Sequence, residues 1–204
     1  MRNAKRITVL GAVIAIFVVQ SARAEVEIKL SKMHLCCGAC VKAVEGALEK
    51  VEGATIKVDA DAGTAVLTTP DTKTARQALA SISNAGFHAE SDHKKLKMPE
   101  NSGVKEGKVE RLELEGIHNC CGECNKAVKK AIATVDGVVS DTAKSKSKSL
   151  VIEGNFDGLA VVQALNKAGF HVTAKGVRED RKKAATEKAA TEKPAKSAPE
   201  KADK

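Results

Sequence analysis

Apolar and polar positions alternate over Val26, Ile28 and Leu30, with charged residues between them. A period of two predicts a half-buried strand. From 38 to 50 the spacing changes, and Val41, Val44, Leu48 and then Val51 recur at helical intervals. Residues 55–59 and 64–69 predict two strands joined by a turn at Asp61-Ala62-Gly63. Pro70-Asp71 opens a second helix with Ala75, Leu79 and Ile82 on one side, and Gly86 stops it. A short strand at 88–90 closes the unit. The same succession then recurs: a strand at 109–117, a helix from 122 to 134, strands at 138–142 and 150–153, a helix at 157–168 and a strand from His171.

The order strand-helix-strand-strand-helix-strand, met twice, predicts an α+β chain. Its two tandem ferredoxin-like βαββαβ domains each carry a four-stranded antiparallel sheet with two helices on one face. The residues repeat as well as the pattern. His34, Cys36, Cys37, Gly38, Cys40, Lys42, Ala43 and Val44 return 84 positions later as His118, Cys120, Cys121, Gly122, Cys124, Lys126, Ala127 and Val128. Val51-Glu52-Gly53 returns as Val135-Asp136-Gly137, and Ala85-Gly86-Phe87-His88 as Ala168-Gly169-Phe170-His171. We therefore divide the chain into domain one at 25–90, a linker at 91–107 and domain two at 108–176. Each domain is near the lower size limit for a single stable core.

The ends differ from the repeats. Arg2, Lys5 and Arg6 precede an apolar run from 7 to 19, and small residues stand at Ala22 and Ala24. This is the layout of a signal peptide over 1–24, so the mature chain is expected to start at Glu25 and to carry no transmembrane span. Export to the periplasm or cell envelope follows. Residues 177–204 are rich in Lys, Ala, Glu and Pro and offer little to bury, which predicts a solvated, disordered tail. The formal charge of +8 resides mostly in these ends. The folded part is almost neutral and has no Trp or Tyr, which argues against nucleic acid as a partner.

All six cysteines lie in the two copies of one motif. Two chemistries use cysteine this way, soft-metal binding and thiol–disulfide exchange. In each copy a Cys-x-x-Cys spans a loop and the start of a helix, Cys37 with Cys40 and Cys121 with Cys124. The free N–H groups and positive pole of a helix start favour the thiolate, the form that binds metal. Each repeat is expected to hold its own ion. Adjacent side chains in extended backbone point apart, so Cys36 and Cys120 are either further ligands or spare thiols facing away. His34 and His118 read as polar residues where a strand meets the loop, with metal ligation as the alternative. His88 and His171 follow a Gly-Phe, and Phe87 and Phe170 read as packing that keeps water from the site. Nothing in the chain suggests hydrolytic or transfer catalysis. The rival function is an envelope thiol–disulfide oxidoreductase using the same cysteine pairs. Against it, the element order is not that of thioredoxin.

Cys37-Gly38-Ala39-Cys40 with Val44-Glu45, and Cys121-Gly122-Glu123-Cys124 with Val128, resemble the motif of the heavy-metal-associated domain. That family includes copper chaperones, the N-terminal domains of copper-exporting ATPases and the periplasmic mercury-binding protein. The resemblance implies a metal carrier rather than an enzyme. It puts Cu(I) first, leaves Hg(II) and Zn(II) open, and implies a metal-transporting membrane protein as partner. This chain departs from the family at the methionine beneath the metal loop, replaced by Leu35 and Asn119. The polar Asn119 suggests a less well packed second site.

Overall fold

The computed structural model describes residues 25–175. The expected signal peptide and tail lie outside the described residues. Repeat one runs β1 (Val26–Ser31), α1 (Gly38–Gly46), β2 (Thr55–Asp59), β3 (Thr64–Thr69), α2 (Thr72–Asn84) and β4 (Glu90–Ser91). Repeat two runs β5 (Lys108–Glu115), α3 (Gly122–Ile132), β6 (Val138–Asp141), β7 (Ser149–Asp157), α4 (Gly158–Lys167) and β8 (Thr173–Ala174). The sheets are antiparallel, with strand orders β2-β3-β1-β4 and β6-β7-β5-β8. These are two tandem ferredoxin-like units.

Register and burial follow from the alternation. Ile28 pairs with Leu67 and Leu30 with Ala65, and all four side chains are buried while Glu27 and Lys29 face out. Ala75, Ala78, Leu79 and Ile82 of α2 are buried on one face. Asp71 starts that helix by accepting a hydrogen bond from the Thr74 N–H at 2.7 Å, which satisfies one of the donors a helix start leaves free. Asp157 does the same for Ala160 at the start of α4. Among the described residues no helix is long and apolar enough to cross a membrane.

The structure differs from the sequence pattern at the fourth strands. The strand expected at 88–90 is the two-residue β4, and β8 likewise starts only at Thr173. The backbone just before them is used elsewhere. Phe87 and Phe170 form an antiparallel bridge between the repeats; the His88 N–H donates to the Gly169 carbonyl and the His171 N–H to the Gly86 carbonyl, both at 3.0 Å. The segment between the repeats is packed rather than loose. Leu96 and Met98 are buried, Ser91 Oγ donates to the Leu96 carbonyl, and the Ala174 N–H donates to the Ser102 carbonyl.

Candidate metal centre

Cys37 and Cys121 are the N-cap residues of α1 and α3, both with extended backbone. Cys40 and Cys124 lie one turn into those helices, fully buried. Within each repeat the Cys-x-x-Cys sulfurs stand 3.7 Å (Cys37–Cys40) and 3.8 Å (Cys121–Cys124) apart. The sequence reading gave each repeat a separate site. Instead, the bridge at Phe87 and Phe170 turns the two metal loops toward each other, and all six thiols meet in one cluster between the repeats. Cys40 and Cys124 approach to 3.9 Å at its buried centre. All six cysteines are free thiols.

The Cys36 and Cys120 sulfurs stay within 4.8 Å of those of their neighbours Cys37 and Cys121. They are not idle. Cys36 Sγ lies 3.3 Å from both Cys121 and Cys124 Sγ, and Cys120 Sγ lies 3.6 Å from both Cys37 and Cys40 Sγ. Each reaches the pair of the other repeat.

The glycines make this approach possible. A side chain at Gly86 would place its Cβ 2.3 Å from the His118 nitrogen, and one at Gly169 would sit 2.3 Å from the His34 nitrogen. Both glycines also have φ near +90° (93° and 87°), where other residues are strained. The neighbouring rings pack across the same boundary. His34 lies against Phe170 with centroids 4.6 Å apart, and Phe87 against His118 at 4.4 Å. Each phenylalanine thus packs on a histidine of the opposite repeat. A His34 ring nitrogen also comes within 4.8 Å of the Cys36 and Cys124 sulfurs. His118, His88 and His171 join no such group among the described residues. The rings of His88 and His171 stack in parallel, 6.3 Å apart.

Burial and helix starts push the thiols in opposite directions. The backbone N–H groups of Cys40 and Ala39, with the Cys120 thiol, pull the Cys37 thiol down to about 7. Cys121 is lowered in the same way by the Cys124 N–H and by Cys36. Desolvation raises Cys36, Cys40 and Cys120, and in Cys36 and Cys120 the thiol contacts across the boundary raise it further. Cys36 as a residue is exposed, but its sulfur is turned onto Cys121 and Cys124. The result is an all-sulfur, partly buried site with two thiols readily ionised, a donor set suited to soft cations.

Asn119, at the position of the family methionine, does not leave a void. It is buried, and its amide donates to Asn125 Oδ1 at 3.0 Å and to the Lys144 carbonyl at 3.1 Å. Its main-chain carbonyl accepts from the Lys146 N–H, and Ser145 Oγ donates to the Cys121 carbonyl. Asn119 thus pins the loop at 144–146 against the cysteine loop. Only the departure from the family residue hints at this role before the fold is known.

A model of the heavy-metal-associated domain matches residues 27–88 and 112–171. Among solved structures, the N-terminal soluble domains of Bacillus subtilis CopA share 18% identity over 74% of this chain and 95% of that one, with a TM-score of 0.29. The first two RRM domains of the yeast poly(U) binding protein Pub1 share 8% over 74% and 99%, with a TM-score of 0.21. At those scores neither similarity bears on function. The matched regions account for more than half of the chain and contain both cysteine motifs, so the chain belongs to the heavy-metal-associated domain family.

Proposed function

We propose that this chain is an exported protein of the periplasm or cell envelope that carries or buffers copper(I). The observation that carries the reading is the convergence of six free thiols at one point between two heavy-metal-associated domains. Thiolates select soft cations such as copper(I) over magnesium or calcium. The family resemblance supports copper(I) over Hg(II) and Zn(II), and supports a metal-transporting membrane protein as the exchange partner. The signal-like layout of residues 1–24 supports export.

One observation favours the rival reading of thiol–disulfide exchange: a Cys37 thiol lowered to about 7 beside other thiols. A single experiment separates the two. Reduced protein is mixed anaerobically with copper(I) held by a chromogenic chelator, and a parallel sample is assayed for insulin reduction. Copper withdrawn from the chelator, with insulin reduced no faster than by a simple thiol, supports the carrier. Rapid insulin reduction without copper retention supports the oxidoreductase.

A further inference from the structure

The six sulfurs form two triangles, each made by both repeats. Cys37, Cys40 and Cys120 are separated by 3.7, 3.6 and 3.6 Å. Cys121, Cys124 and Cys36 are separated by 3.8, 3.3 and 3.3 Å. The duplication maps one triangle onto the other. Completing a site within a single repeat is the poorer geometry. In their own repeats Cys36 is 3.8 Å from Cys40 and Cys120 is 3.7 Å from Cys124, each longer than its cross-repeat distances, and the adjacent pairs Cys36–Cys37 and Cys120–Cys121 lie within 4.8 Å.

We propose that the third cysteine acts in trans: Cys120 completes a three-sulfur copper(I) site with Cys37 and Cys40, and Cys36 completes one with Cys121 and Cys124. This rests on the copper-carrier reading above. An ion at the centre of the first triangle lies about 2.1 Å from each sulfur, so a small displacement from the plane reaches the length of a metal–thiolate bond, about 2.3 Å for zinc. Sulfurs of the facing triangle come near this one, with Cys124 3.7 Å from Cys120 and 3.9 Å from Cys40, and Cys36 3.8 Å from Cys40. Copper(I) takes three thiolates readily. On binding, each ion displaces three thiol protons to solvent and forms three copper–sulfur bonds, leaving a complex of charge minus two. The first turns of α1 and α3, which begin at the cluster, each bring about half a positive charge to oppose it.

The test uses the reduced full chain loaded anaerobically with copper(I). Copper is counted by elemental analysis, and its sulfur neighbours are counted by X-ray absorption. We expect two ions per chain with three sulfurs each. The double variant Cys36→Ser with Cys120→Ser should keep two ions but show two sulfurs around each. In a Cys37→Ser, Cys40→Ser background one ion should remain; adding Cys36→Ser should lower its sulfur count from three to two, and adding Cys120→Ser should not. The reverse result, with Cys120 needed and Cys36 dispensable, would overturn trans ligation in favour of sites closed within each repeat. Two sulfurs per copper in the unmodified chain, or four bridged ions, would also overturn it while leaving the carrier reading intact. Failure of the unmodified chain to retain any copper would sink the carrier reading itself.

Discussion

Cys36 Sγ stands closer to Cys124 Sγ of the other repeat, at 3.3 Å, than to Cys40 Sγ of its own, at 3.8 Å. Thiol–disulfide chemistry requires an attacking thiolate near its target, and Cys121, equally close to Cys36, is lowered in pKa. Under mild oxidation of the metal-free chain, the first bridge should join Cys36 to Cys121 or Cys124. Peptide mapping without reductant would show fragments of both repeats linked. A first bridge between Cys37 and Cys40 would contradict this order.

Exposure and ionisation rank the thiols differently. Cys36 is the more exposed residue, but Cys37 has the lowered pKa, about 7. Alkylation follows the thiolate. Brief treatment of the reduced protein with iodoacetamide at neutral pH should label Cys37 ahead of Cys36, as read by mass spectrometry. Labelling that follows exposure would count against the ionisation pattern.

Gly86→Ala or Gly169→Ala should loosen the union of the repeats. Each forces a side chain into the positive-φ region and against the backbone of the other repeat. The backbone strain alone costs about 1–3 kcal/mol per site. Urea denaturation should show the loss of stability, and small-angle scattering a larger radius. A variant as compact and stable as the parent would refute the role of these glycines.

Burial holds His34, His88 and His118 below the ordinary histidine pKa of 6.5, with Glu100 and Glu90 only partly opposing the effect at His88. A lowered value means that the unfolded chain takes up protons more readily than the folded one. Their contribution to stability is therefore complete above 6.5 and is lost as the pH falls below it toward the folded values. The metal-free protein should melt at a lower temperature at pH 5.5 than at pH 7.5. An unchanged or higher melting temperature at pH 5.5 would contradict the burial argument.

Replacing Asn119 with Ala should remove two hydrogen bonds and leave the Lys144 carbonyl without this donor. The cost expected is about 1–3 kcal/mol, measurable by urea denaturation. Faster hydrogen exchange confined to 144–146 would locate the effect in the pinned loop. No change in either measurement would show that the loop holds itself.

The elements were legible because each repeat is locally consistent. Val26, Ile28 and Leu30 alternate, α2 carries its apolar stripe, and Asp71 and Asp157 occupy the caps. The Cys-x-x-Cys pairs were legible because their spacing is itself the geometry of a loop entering a helix. What one sequence does not encode is which surface of a small domain meets its duplicate. Gly86-Phe87-His88 and Gly169-Phe170-His171 stood out as repeated markers, yet the same residues could serve packing within each repeat. Only the folded chain assigns their main-chain groups to each other. Leu96 and Met98 are too sparse among Lys, Glu and Ser to make a periodic pattern, but they have apolar cover in the fold.

The packed segment from Ser91 to Gly107 also changes how the cluster depends on dilution. Two separate copies of such a domain would have to find each other, and the six-thiol arrangement would vanish at low concentration. Joined in one chain, each repeat meets the other at an effective concentration that a short connection sets at about millimolar. Assembly is then unimolecular. The site persists when the protein is scarce, and its occupancy follows the metal supply rather than the abundance of the protein.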